Sequence, residues 1–160
     1  KVALSSAVIQ RPELAKEIGQ AIGNQSVVVV LDYKKKKGLF SGTSYEIYTH
    51  NGTKNTKLDL FDFVEVLEKL EVGEILLNSI DRDGMMNGYD HEVIEKVRDI
   101  TSVPISVLGG AGSLEDIQTL VSKFKIIGAG AGSLFVFKGR YKAVLINYPN
   151  FEERKKIIST

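Results

Sequence analysis

Two aspartates stand where a carboxylate can move protons. Asp32 ends the apolar run Val27 to Leu31, and Asp83 lies in the polar stretch Ser79-Ile80-Asp81-Arg82-Asp83-Gly84. A carboxyl at the end of a buried strand is poised for acid–base work, because burial lifts a carboxyl pKa toward neutrality. The other reading of Asp32 is a cap for the following turn. For the second stretch the other reading is a salt-bridged turn in which Arg82 neutralises one Asp. Asp81 and Asp83 are two apart, as in a calcium loop, but Gly84 stands at the fourth position rather than the sixth, which disfavours calcium. Two glycine runs follow, Gly109-Gly110-Ala111-Gly112 and Gly130-Ala131-Gly132-Ser133. Bare backbone N–H groups at such turns hold phosphate; the alternative is a pair of tight turns with no ligand. The four lysines from Lys34 to Lys37 read as a solvated loop that helps attract a phosphorylated ligand.

These residues need elements to position them. The periodic set Leu14, Ala15, Ile18, Ala21 and Ile22 marks a helix that Pro12 opens and Gly23 closes. Ser26 to Asp32 is a continuous β-branched run, the pattern of a strand buried on both faces. Lys34 to Ser44 reads as polar loop. Tyr45 to His50 alternates and ends at Asn51-Gly52, a hairpin signal. Helices are expected over roughly 59–70 and 90–100, and strands over Glu74 to Asn78, Ile105 to Leu108 and Lys125 to Ala129. Ser113 with Asp116 forms a capping-box start for the helix carrying Leu114, Ile117, Leu120 and Val121. The second glycine run opens a short helix.

Strands alternating with helices imply parallel pairing and right-handed crossovers. Two glycine loops in successive units match the phosphate site that (βα)8 barrels build after strands seven and eight, which favours a barrel over a doubly wound sheet. Counting back from there, 125–129 is strand eight, 105–108 seven, 74–78 six, 27–32 five and 2–4 four. Residues 1–160 are therefore expected to hold the C-terminal half of a single barrel domain, with the N-terminal half absent.

The 160 residues carry 43% hydrophobic and 26% charged side chains and a net charge of +1, an ordinary globular composition. No global field draws the chain to nucleic acid or to anionic membrane, and no apolar run is long enough to span a bilayer. There is no cysteine, and only His50 and His91 supply imidazole, so thiol nucleophiles and cysteine zinc sites are excluded. From Lys1 onward no basic n-region or apolar h-region is visible, so no secretory signal is expected and the expected location is the cytoplasm.

Several motifs together resemble the cyclase subunit of imidazole glycerol phosphate synthase. They are Val27 to Asp32, Tyr48 to Thr56, Gly73 to Leu77, Ser79 to Gly84 with Gly88-Tyr89-Asp90, and Gly109 to Gly112. The likeness runs colinearly from Lys1 to Phe137. It implies a (βα)8 barrel that adds ammonia from a glutaminase (HisH-type) partner to a doubly phosphorylated ribulosyl aminoimidazole carboxamide ribotide. Lyase and cyclisation steps then yield imidazole glycerol phosphate and an aminoimidazole carboxamide ribotide, with no cofactor and no metal. On this likeness Asp32 is an acid–base aspartate and Asp83 a second site carboxylate. Gly109, Gly110, Gly132 and Ser133 bind one phosphate, and Ser5 and Ser6 stand at the other. Lys1 and Glu74 flank the ammonia entrance at the barrel bottom. The family's other acid–base aspartate has no counterpart here, so the 160 residues alone are expected to be inactive and to self-associate or pair with the missing half-barrel.

Asn78 stands where the family usually has Thr, Leu108 where it has Ser, and Ser5-Ser6 where it has Asn-Thr. These departures, with the tail Lys142 to Pro149, resemble a paralogous branch that serves acetamidino modification of lipopolysaccharide or other surface sugars. Two further readings of the residues remain: a non-catalytic phosphosugar- or nucleotide-binding module on the glycine loops, and a metal-dependent aldolase or hydrolase using Asp81 and Asp83.

Overall fold

A computed structural model describes residues 1–37, 42–139 and 141–158. Strand β1 (Val2–Leu4) leads into helices α1 (Ser6–Gln10) and α2 (Glu13–Ile22). Strand β2 (Val27–Lys37) follows, then the hairpin of β3 (Thr43–Thr49) and β4 (Lys54–Asp59), and helix α3 (Leu60–Lys69). Three βα units come next: β5 (Glu74–Ser79) with α4 (His91–Ile100), β6 (Ile105–Leu108) with α5 (Leu114–Phe124), and β7 (Gly128–Ala129) with α6 (Ser133–Val136). The chain ends in the short pair β8 (Phe137–Lys138) and β9 (Ala143–Val144), then α7 (Phe151–Ile158).

Strands β1, β2, β5, β6 and β7 pair in that order, all parallel. This is the order expected of strands four to eight, so the chain is a partial barrel. One core cluster holds Val27, Val29, Leu31 and Tyr33 of β2, Ile75 and Leu77 of β5, and Ile105 and Val107 of β6. Leu60, Val64 and Leu67 of α3, Val93, Ile94 and Val97 of α4, and Ile117 and Leu120 of α5 pack against them. These strand residues share one phase of the alternation, so the helices cover one face of the sheet. In the other phase Val28 is buried, while Val30, Leu76 and Leu108 are only half-buried. The expected burial of β2 on both faces is thus complete on the helix side and reaches Val28 but not Val30 on the other.

Local chemistry sets the helix ends. Asp59 caps α3 by accepting from the Phe61 and Asp62 amides. Ser113 and Asp116 form the expected reciprocal capping box on α5. Glu68 accepts from Thr101 Oγ1 and, at 2.8 Å, from Ser102 Oγ, pinning the end of α3 to the entry of β6.

Two expectations are corrected. The stretch from Lys34 to Ser44 is not a loop throughout: β2 continues to Lys37 and pairs antiparallel with β3, from Asp32↔Tyr48 to Lys37↔Thr43; residues 38–41 lie outside the described residues. Cross-strand partners hold the lysines extended. Lys34 Nζ lies 5.0 Å from the Tyr48 ring centre and Lys36 Nζ 3.0 Å from Glu46. The strand expected over Lys125 to Ala129 shrinks to Gly128 and Ala129. Helix α5 runs to Phe124, Lys125 turns left-handed at φ +59 to close it, and Ile126 is left 81% exposed. With β6 alone as its neighbour among the described residues, little ladder is available to extend β7.

Candidate active site

Parallel strands bring their carboxyl ends together, and register decides which side chains meet there. Asp32 of β2 lies opposite Asn78 of β5, and Asn78 opposite Leu108 of β6. All three are in the phase that points away from the helices. Asn78 Nδ2 donates to Asp32 Oδ1 at 2.7 Å. The two residues share a cleft of about 270 Å³ with Asn51, Gly52, Ile80 and Asp83. Both expected aspartates therefore face one space, one from a strand end and one from the loop after β5.

Asn78 Oδ1 is buried and accepts no hydrogen bond among the described residues. A buried acceptor left unmade costs about 1–3 kcal/mol. The amide packs against Gly109, whose φ of +90 suits glycine; a Cβ there would lie 2.6 Å from the Ser79 carbonyl and 3.3 Å from Asn78 Oδ1.

The salt-bridged turn considered for Arg82 is not what forms. Arg82 Nε lies 3.8 Å from Asp90, and its Nη1 donates to the Gly88 carbonyl at 3.1 Å. Asp81 instead accepts from the Lys35 amide at 2.8 Å, so it supports the extended end of β2. That leaves Asp83 as the carboxylate of this loop that lines the cleft. Among the described residues, no group of three or more His, Asp or Glu side chains is placed to hold a metal ion.

The glycine loops sit on the same end of the sheet. The Gly88 amide donates to the Gly110 carbonyl at 2.8 Å, and the Gly130 amide to the Val107 carbonyl at 2.7 Å. Gly132 precedes Ser133 at the start of α6, and an added Cβ at Gly132 would meet nothing within 4 Å. Ser133 Oγ would lie 3.8 Å from a Cβ on Gly84, which brings the second glycine loop beside the Asp83 loop. Ser5 and Ser6 stand apart from these, after β1, where Ser6 Oγ accepts from the His50 amide at 3.4 Å.

Lys1 and Glu74 meet at the opposite, amino-terminal end of the strands. Lys1 Nζ donates to Glu74 at 2.6 Å, and Ser106 Oγ donates to the other carboxylate oxygen. The Lys1 ammonium first, and then the Ser106 hydroxyl, hold the Glu74 carboxyl below its ordinary range.

Sequence reasoning missed Asn51 and Gly52 as part of the cleft. Their signal was the hairpin dipeptide itself, because the β3–β4 turn folds back over the end of β2: His50, Asn51 and Gly52 all have positive φ, and a Cβ on Gly52 would touch Ile80.

Residues 1–142 match the sequence profile described as "Histidine biosynthesis protein". The chain is 49% identical over 158 residues to a Vibrio vulnificus (strain YJ016) protein provisionally named imidazole glycerol phosphate synthase subunit hisF3, covering 99% of this chain and 60% of that one. It is 48% identical over 157 residues to a Leptospira interrogans protein provisionally named subunit HisF of the same synthase, covering 98% and 61%. It is 38% identical over 148 residues to the imidazole glycerol phosphate synthase subunit HisF of Natranaerobius thermophilus, covering 92% and 57%. The chain thus spans about three-fifths of the length of these curated relatives. Among the described residues, no helix is long and apolar enough to cross a membrane.

Proposed function

The chain belongs to the histidine biosynthesis protein family, and from that membership we propose that residues 1–160 form the C-terminal half of a (βα)8-barrel cyclase subunit of the imidazole glycerol phosphate synthase type. In this reading the whole barrel takes ammonia from a glutaminase and adds it to the doubly phosphorylated ribotide. It then carries the adduct through lyase and cyclisation steps to imidazole glycerol phosphate and an aminoimidazole carboxamide ribotide. The observation that carries it is the meeting of Asp32 and Asp83 in one cleft, on the end of the sheet that also bears both glycine loops. Asp32 acts as general acid and base, oriented by the Asn78 amide. Gly109, Gly110, Gly132 and Ser133 offer backbone and hydroxyl donors to one phosphate. Ser5 and Ser6, after β1 across the sheet, serve the other. The Lys1–Glu74 pair borders the ammonia entrance, and the glutaminase docks at that amino-terminal end.

A second reading keeps the glutaminase-derived ammonia and changes the reaction: the barrel hands ammonia to a partner amidotransferase that amidinates a surface sugar. Leu108 supports it. Its side chain stands beside Gly130 at the mouth of the site, where an alkyl group donates nothing to a phosphate or hydroxyl. The test is complementation of a cyclase-deficient histidine auxotroph by the intact gene. Growth without histidine supports the first reading. A stable protein that does not complement, yet sustains amidination of a surface sugar by its amidotransferase partner, supports the second. Phosphate binding with neither of these would replace both with a binding module.

A further inference from the structure

The segment from Ser79 to Asp90, which joins β5 to α4, ties down both glycine loops. Its Gly88 amide donates to the Gly110 carbonyl at 2.8 Å. The two chains lie so close that a Cβ on Gly110 would collide with the Gly88 carbonyl. Arg82 Nη1 donates to that same Gly88 carbonyl at 3.1 Å, bracing the contact from within the segment. Next along, Tyr89 reaches past β6: its hydroxyl donates to the Gly130 carbonyl at 2.9 Å. Its side chain is 3% exposed. Burial first, and the Asp116 charge second, push the Tyr89 hydroxyl up to about 12, so it remains a proton donor throughout the neutral range. Gly130 is thereby gripped at both its polar groups, since its amide is bound to Val107. Gly132 and Ser133 lie directly downstream of it.

Resting on the reading of these loops as a phosphate cradle, we propose that Tyr89 is a positioning residue for it, holding Gly130 so that the Gly130–Ser133 loop presents its donors to a phosphoryl group. Tyr89 acts through Gly130 and does not touch the ligand. The aromatic ring supplies packing; the hydroxyl supplies the positioning. The same segment carries Asp83 into the cleft beside Asp32, so one stretch of chain sets the distance between the phosphate anchor and the carboxylates.

The test titrates the intact gene product with inorganic phosphate, by calorimetry and by the amide shifts of Gly109–Gly112 and Gly130–Ser133. Tyr89→Phe keeps the ring and is expected to weaken phosphate about five- to tenfold, the effect of losing one positioning hydrogen bond. Its amide shifts change at Gly130–Ser133 and hold at Gly109–Gly112. Thr101→Val, which loosens the Glu68 pin away from the loops, serves as the control: it lowers stability and leaves phosphate affinity unchanged. Arg82→Met is expected to disturb the first loop through Gly88 and Gly110, and so to weaken phosphate as well. Unchanged affinity in Tyr89→Phe, or an equal loss in Thr101→Val, overturns the proposal. Wild-type protein whose loop amides ignore phosphate overturns the cradle reading on which it rests.

Discussion

Asn78 donates its amide nitrogen to Asp32 at 2.7 Å while its own amide oxygen, buried beside Gly109, accepts nothing among the described residues. A side chain that leaves one polar atom orphaned, against the general rule of satisfaction, is explained by what its other atom does. Here that atom fixes the orientation of a carboxylate in the cleft. Asn78→Leu, close in shape and free of polar atoms, is expected to lower turnover about 10- to 100-fold in the intact protein, the scale of a hydrogen bond to a charged group. Its melting temperature should hold or rise, because the orphaned oxygen goes too. A variant that loses stability and keeps its turnover would make Asn78 a packing residue.

Two glycines with different surroundings give a stability contrast. Gly110 has φ +110 and no room for a Cβ against Gly88, whereas Gly132 has φ −108 and open space. Gly110→Ala should cost about 1–3 kcal/mol from the backbone conformation alone, and more from the collision. Gly132→Ala should stay within about 0.5 kcal/mol. Urea melts of the two variants measure the difference; equal losses would contradict the close approach of the first loop to Gly88.

Much of this was legible because it is local. Val27 to Leu31 reads as a buried strand from composition alone, and the Ser113–Asp116 box reads as a helix start from spacing alone. The meeting of Asp32 and Asp83 followed from the rule that parallel strands collect function at their carboxyl ends. What escaped depends on partners distant in sequence. Lys34 to Lys37 are poor strand formers until β3 pairs with them and brings Tyr48 and Glu46 within reach. Arg82 has two carboxylates as immediate sequence neighbours, yet the turn through Gly84 and Gly88 swings it to Asp90. The run from Lys125 to Ala129 is strand-like in composition, but α5 and the sheet edge leave it two paired residues.

Glu74 gives a pH dependence with a definite sign. Lys1 first, and then Ser106, hold its folded carboxyl below the usual 4.5. A depressed folded pKa contributes stability that is fully present above 4.5 and is lost as pH falls through the lower folded value. Acid melts of the wild type should therefore fall more steeply below that pH than those of Glu74→Gln. Parallel curves would show that the Lys1–Glu74–Ser106 contact contributes nothing to the fold.

The half-covered sheet face with Val30, Leu76 and Leu108, together with the exposed Ile126, Val144 and Ile146, predicts that the 160-residue chain by itself associates. Light scattering should give dimers or larger species, with binding of an exposed-surface dye. A sharp monomer peak at the mass of 160 residues, without dye binding, would contradict this.

The most direct measurement is turnover of the Asp32→Asn variant of the intact protein, supplied with ammonia, beside its melting curve. Asparagine keeps the shape and removes the titratable proton. If Asp32 is the acid–base residue of the cleft, activity falls about 10²- to 10⁴-fold while stability stays near that of the wild type. If Asp32 merely ends a strand and caps a turn, asparagine replaces it at little cost, activity survives, and the assignment of this cleft as an acid–base site is wrong.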